Sequence, residues 1–170
     1  RGEQLHEADE TLTIGELISL GRRVDTELAP DTPLKLFFDY PMAFRPLSRL
    51  ATGDGCGICG IFGILGVLPT GQYALCGIGE QVKELVFGIA GQDTLETVWR
   101  ETPVLNEIRS RLPDDLGGVC ESCLMKARCL GSCVAQNYYR SGDLFAAYWF
   151  CDLAEEAGLF PESRRVPAAG

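Results

Sequence analysis

All eight cysteines of this 170-residue chain lie between Cys56 and Cys151. Their spacing is Cys56-x2-Cys59, then Cys76 shortly after Gly71, then Cys120-x2-Cys123-x5-Cys129-x3-Cys133, and finally Cys151. Thiolates two or three residues apart on a turn can reach one metal centre while the backbone folds around it, and four such ligands enclose a cubane [4Fe–4S] cluster. Backbone must then approach inorganic sulfide closely and donate N–H groups to it. Gly57, Gly60, Gly77, Gly131 and Ser132 supply that freedom. Eight cysteines divide into two sets of four. The single histidine, His6, stands outside the cluster, so papain-like or zinc-hydrolase chemistry lacks its base or its nitrogen ligands.

Other arrangements use the same count. A disulfide framework also needs an even number, but a chain of this size buries a core without staples, and nothing in the sequence marks it for secretion. Structural zinc is the closer rival, because Cys-x2-Cys knuckles are common zinc ligands and eight thiolates hold two ions. Buried thiols with no metal would not gather in short motifs.

Composition narrows the partners. With 46% apolar and 23% charged residues the chain has a globular balance, and 15 Lys and Arg against 24 Asp and Glu leave a net charge of −9. That sign argues against a nucleic-acid surface built on phosphate contacts. The longest apolar stretch runs only from Ile61 to Leu68 and includes Gly63 and Gly66. A bilayer span needs ~20 apolar residues, so no membrane partner is expected. The opening Arg1-Gly2-Glu3 carries no methionine and no basic-then-apolar start. It reads as a cytoplasmic protein and a piece of something longer.

Residues 1–11 read as an acidic lead-in. Ile14, Leu17, Ile18, Leu20, Gly21, Val24 and Leu28 recur at helical spacing, with Thr13 and Glu16 as a capping box and Ala29 to Pro33 as the stop. Leu34–Phe38 then reads as a buried strand ending at Asp39-Tyr40-Pro41. Gly63–Leu68 and Gln72–Cys76 flank Pro69-Thr70-Gly71 and predict a β-hairpin with Gly71 at positive φ. Asp93 to Glu96 is a second capping box, opening a helix through Trp99. Pro103 starts another that Leu112-Pro113 ends. Val134–Tyr139 is helical, closed by Ser141-Gly142, and Phe145–Glu156 is a further helix. The fold class is α+β.

The cysteine spacing resembles the SPASM domain, the C-terminal auxiliary-cluster domain of many radical S-adenosylmethionine (radical SAM) enzymes. Its signature, Cys–x(9–15)–Gly–x4–Cys, then Cys–x2–Cys–x5–Cys–x3–Cys, then Cys, is met by Cys59, Gly71, Cys76, Cys120, Cys123, Cys129, Cys133 and Cys151. The resemblance implies three parts. Residues 1–50 would be the tail of the partial TIM barrel, a helix plus a strand; 51–160 the two-cluster SPASM domain, with a β-hairpin and short helices; and 161–170 a frayed C-terminus. It also implies interleaved ligand sets, with Cys56, Cys59, Cys76 and Cys133 on auxiliary cluster one and Cys120, Cys123, Cys129 and Cys151 on auxiliary cluster two. Cys56 and Cys59 both fall within the allowed spacing to Gly71. The implied cofactors are two [4Fe–4S] clusters here, with S-adenosylmethionine and a third [4Fe–4S] cluster in the N-terminal part that these residues lack. The implied function is the auxiliary-cluster half of a maturase that oxidatively modifies a peptide or protein, its clusters serving electron transfer, substrate positioning or both. A peptide or protein substrate and an electron donor or acceptor protein are the implied partners.

Two departures bear on that reading. The family's radical-generating Cys-x3-Cys-x2-Cys motif is absent from these residues, so the fragment alone is not expected to make the radical. Sulfatase-maturing members carry an aspartate after the third upstream cysteine, where this chain has Gly77. The glycine-rich run Cys56–Gly79 and the stretch Ala135–Arg140 look more like peptide-modifying maturases. Alternatives are a freestanding two-cluster electron carrier and a zinc-stabilised interaction module. Lys126 and Arg128 read as solvated loop charges, or as cations that would raise a cluster's potential. Asp39 and Tyr40 read as a strand-terminating turn before Pro41 or, at the end of a barrel strand, as residues that hold cofactor or substrate. Tyr138, Tyr139, Tyr148, Trp149 and Phe150 read as core or cluster shielding, and Arg45 and Arg49 as surface charge.

Overall fold

The computed structural model describes residues 11–34, 36, 38–52, 58–77 and 82–167. It is a mixture of helices and one small antiparallel sheet, and it divides into two compact units, 1–57 with 150–170, and 58–149. These units follow different lines from the three sequence segments, because the last twenty or so residues group with the N-terminal stretch. Among the described residues no helix is long and apolar enough to cross a membrane.

The N-terminal segment begins with α1 (Ile14–Arg23), capped as expected. Thr13 Oγ1 accepts the Glu16 N–H, and the Glu16 carboxylate accepts from the Thr13 N–H at 2.8 Å. Over Val24–Leu28 the helix widens into a π-turn, and a last turn, α2 (Ala29–Asp31), ends at extended Thr32. Ile18, Gly21 and Asp25 face inward at three- and four-residue spacing, whereas Leu20 and Leu28 stay about half exposed. The expected strand Leu34–Phe38 does not appear among its described residues. Leu34, Leu36 and Phe38 carry no strand pairing, and Leu34 is 71% exposed. A strand needs a neighbouring strand for its backbone groups. Among the described residues the only sheet belongs to the other unit. Lys35 and Phe37 lie outside the described residues. A 3-10 turn, Met42–Phe44, leads to α3 (Leu47–Thr52).

In the second unit the hairpin forms with shorter strands than expected. β1 (Gly66–Val67) pairs antiparallel with β2 (Gln72–Ala74), and Gly71 takes φ 81°. β3 (Val86–Ile89), which the sequence reading did not mark, completes the sheet in the order β1-β2-β3. α4 (Leu95–Glu101) starts one residue later than the capping box suggests. Thr94 is the N-cap and binds the Thr97 N–H, while the Asp93 carboxylate accepts the Ile89 N–H at 2.7 Å. α5 (Pro103–Arg111) has proline in its first turn and packs on α4 through Arg109, which donates to the Trp99 carbonyl and lies 4.1 Å above its ring. α6 (Lys126–Cys129) ends in Cys129, Cys133 is the N-cap of α7 (Val134–Ser141), and Gly142 ends α7 left-handed.

The last helix, α8 (Trp149–Glu156), starts four residues later than Phe145. The carbonyl of Phe145 accepts the Gly117 N–H and that of Ala146 accepts from Asn137, so neither is available to a helical turn. Beyond it, Glu162–Arg164 forms a 3-10 turn, and Arg165 pairs with Glu155 and Glu162, giving structure to part of the segment expected to fray.

The first unit is built around aromatic rings and one buried ion pair. Tyr40 stacks on Phe38, Phe44 meets Phe150 edge-on at 5.2 Å between centroids, and Phe160 packs on Phe44. The Tyr40 ring lies so close to Gly21 that any Cβ there would strike it, and its hydroxyl donates to the Ile18 carbonyl. Burial pushes the Tyr40 phenol up, which keeps that donor protonated. Arg45, expected at the surface, is 2% exposed. It donates to Asp25 Oδ1 at 3.0 Å and to the carbonyls of Tyr40 and Phe38, with its guanidinium 4.5 Å over the Phe38 ring.

Removing one partner of such a pair strands a buried charge. Arg45→Met should therefore cost about 3–5 kcal/mol, and the double change Asp25→Leu with Arg45→Met should recover most of it. Urea unfolding of the three variants checks this; a single-variant cost below ~1 kcal/mol would contradict the burial. The Glu16 carboxyl is held below its ordinary value by the Thr13 N–H and hydroxyl. Its contribution to the cap is complete above the ordinary carboxylate range and is lost as pH falls through the lowered value. Circular dichroism from about pH 7 to about pH 3 should show an acid loss of helix in the wild type that is smaller in Glu16→Gln.

Candidate metal centre

Three of the expected ligands stand in distant parts of the sequence. Cys59 precedes the hairpin, Cys76 follows β2, and Cys133 stands at the N-terminus of α7. Burial pushes the Cys59 thiol up, the neighbouring Cys133 and then Cys76 thiolates push it further, and the Ile61 N–H pulls it partly back. Cys133 and Cys76 thus lie within electrostatic reach of Cys59. Among the described residues no group of three or more His, Cys, Asp or Glu side chains closes into a metal-holding arrangement. Cys56 and Gly57 lie outside the described residues, so the expected fourth ligand is not on view.

The later cysteines sit on tight turns. The Cys123 N–H donates to the Cys120 carbonyl at 3.1 Å and closes the x2 knuckle, and the Cys123 sulfur accepts the Met125 N–H at 3.3 Å. A sulfur that accepts backbone N–H bonds is stabilised as a thiolate, the form a metal requires. Cys120, Cys123 and Cys151 are buried; Cys59, Cys76, Cys129 and Cys133 are half-buried. No disulfide joins any of these seven described cysteines. Cys151 belongs to the unit containing 150–170 and the other six to 58–149.

Between Cys129 and Cys133 the backbone is left-handed throughout, with φ of 54° at Leu130, 71° at Gly131 and 61° at Ser132. For the two residues with a Cβ this costs about 1–2 kcal/mol each. Strain of that size in a three-residue link marks a constraint imposed from outside it. Below it lies Asn137, 2% exposed, one turn into α7. Its Nδ2 donates to the Gly131 carbonyl at 2.8 Å and to the Ala146 carbonyl at 3.1 Å, while its buried Oδ1 accepts from no described residue. An orphaned buried acceptor costs about 1–3 kcal/mol, which an apolar side chain at this position would avoid.

Comparison with protein families, curated proteins and solved structures finds no match.

The donor set fits iron–sulfur ligation in kind: soft thiolates, turns that bring backbone N–H groups to sulfur, and glycine where chains approach closely. Of the residues weighed beside the cysteines, Lys126 spends its ammonium on the Glu121 carbonyl. Tyr148 and Phe150 are core, whereas Tyr139 is 54% exposed and shields nothing. Tyr40 belongs to the aromatic core, and His6 lies outside the described residues. Sequence reasoning missed Asn137, because a polar residue in mid-helix looks the same whether it faces solvent or a loop apex.

Gly66 offers a direct test of how Cys76 is placed. A Cβ there would stand 3.2 Å from the Cys76 carbonyl carbon and 3.3 Å from its Cα, whereas one at Gly63 meets nothing within 4 Å. Gly66→Ala should shift Cys76 and roughly halve the metal bound per chain after anaerobic reconstitution, with Gly63→Ala unchanged. Equal loading of the two variants would show that Cys76 needs no fixed position.

Proposed function

We infer that this chain is the auxiliary-cluster portion of a radical SAM enzyme that oxidatively modifies a peptide or protein, with a SPASM-type domain following the tail of a partial barrel. The observation that carries this reading is the spacing of Cys59, Gly71, Cys76, Cys120, Cys123, Cys129, Cys133 and Cys151, supported by the Cys133 and Cys76 charges that raise the Cys59 thiol. Cys133 lies in the same short motif as Cys120, Cys123 and Cys129, yet it is one of the two cysteines whose charge raises the upstream Cys59 thiol. That crossing is what the family's interleaved ligand sets imply.

On this reading Cys56, Cys59, Cys76 and Cys133 hold one [4Fe–4S] cluster and Cys120, Cys123, Cys129 and Cys151 the other. Such clusters supply one-electron transfer when bound. The chain's own part is structural and electrostatic. Thiolates fix the site, the Met125 N–H withdraws charge from the Cys123 sulfur, and burial of Cys120, Cys123 and Cys151 restricts water. With four protein ligands each, neither site keeps an open position, which suits electron transfer or peptide positioning. Generation of the radical would belong to a Cys-x3-Cys-x2-Cys segment outside these residues.

Anaerobic reconstitution with iron and sulfide should give a brown protein with about eight iron atoms per chain and cubane signals in spin-resonance spectra after reduction. Cys129→Ala should lose about half of that iron and keep one signal. A colourless protein holding about two zinc ions would replace this reading with a zinc-stabilised module. An unchanged iron count in Cys129→Ala would refute the ligand set.

A further inference from the structure

Asn137 bonds to backbone on two sides at once. On one side is the carbonyl of Gly131, the apex of the left-handed link between Cys129 and Cys133. On the other is the carbonyl of Ala146, in the irregular stretch that leads into α8. Its own N–H donates to the Cys133 carbonyl at 2.9 Å, so the residue is fixed one helical turn from that cysteine. The amide's orientation follows from its partners. Two carbonyls can only be met by the NH2 end, and turning the group over would set oxygen against oxygen at both. The contact is tight as well, since a Cβ on Gly131 would come to 3.4 Å from Asn137 Nδ2 and 3.0 Å from a Leu116 methyl.

We propose that Asn137 is a positioning residue for the metal centre: its amide pins the Gly131 carbonyl, holds Leu130 and Ser132 in their left-handed path, and thereby sets the separation of Cys129 and Cys133. This rests on the cysteines being metal ligands, as inferred above. If those two thiolates serve different clusters, the three-residue link is the shortest covalent path between the sites, and Asn137 fixes its length. The buried oxygen without a donor among the described residues is explained by the same role, because the residue is kept for what its nitrogen does.

The test uses the full chain, reconstituted anaerobically with iron and sulfide. Asn137→Ala should lose at least half of its iron and broaden or shift the spin-resonance spectrum of the reduced protein. The triple variant that adds Leu130→Gly and Ser132→Gly should regain most of the iron and the wild-type spectrum, since glycine takes the left-handed path without strain. Its thermal unfolding midpoint should stay low, which separates loop placement from general core packing. Where Asn137→Ala fails to fold by circular dichroism, Asn137→Asp replaces it, keeping the shape while removing the paired donors. Wild-type iron and spectrum in the alanine variant, or a folded variant that the two glycines do not rescue, overturns the proposal. A wild-type chain that binds zinc in place of iron sinks the cluster reading alone, and the same variants are then scored by zinc content. A wild-type chain that binds neither metal sinks both.

Discussion

Three left-handed residues in succession, two of them bearing a Cβ, join Cys129 to Cys133. A chain does not keep such a path for its own sake, because the strain in Leu130 and Ser132 takes several kcal/mol from a net stability of only about 5–15 kcal/mol. The path persists because its surroundings over-determine it. The Leu130 N–H bonds back to Lys126, the Ser132 N–H to Cys129, and the apex carbonyl to Asn137. The consequence is directional. Cys133 emerges at the head of α7 beside the thiols of the hairpin region, while Cys129 ends α6.

Much of this was legible from residue pattern because it depends on neighbours in sequence. The Thr13–Glu16 cap, the Gly71 turn, Pro103 in a first turn and Gly142 at a helix end are each settled within four residues, and all took the expected form. What pattern missed depends on distant partners. Leu34–Phe38 has the composition of a strand, yet its described residues Leu34, Leu36 and Phe38 carry no strand pairing. Arg45 looks like surface charge until Asp25 and the rings of Phe38 and Tyr40 close around it. Phe145 and Ala146 look helical, but their carbonyls are taken by Gly117 and Asn137.

The candidate site divides the same way. Cysteine spacing marks the candidate ligands, since turn geometry and ligand spacing are both local. Spacing alone does not say which thiols face one another. That emerges only where the hairpin and the head of α7 bring Cys59, Cys76 and Cys133 into one electrostatic neighbourhood, with Asn137 supporting the loop below.

The sheet that carries Cys76 is small. β1 has two residues and β2 three, and the pairing of β2 with β3 is irregular between Gln72 and Ala74. Strands this short hold together marginally in water, and such elements open and reclose well before a domain melts. Cys76 follows two fully buried residues, Ala74 and Leu75, so what anchors it is the core beneath the sheet rather than the length of the strands.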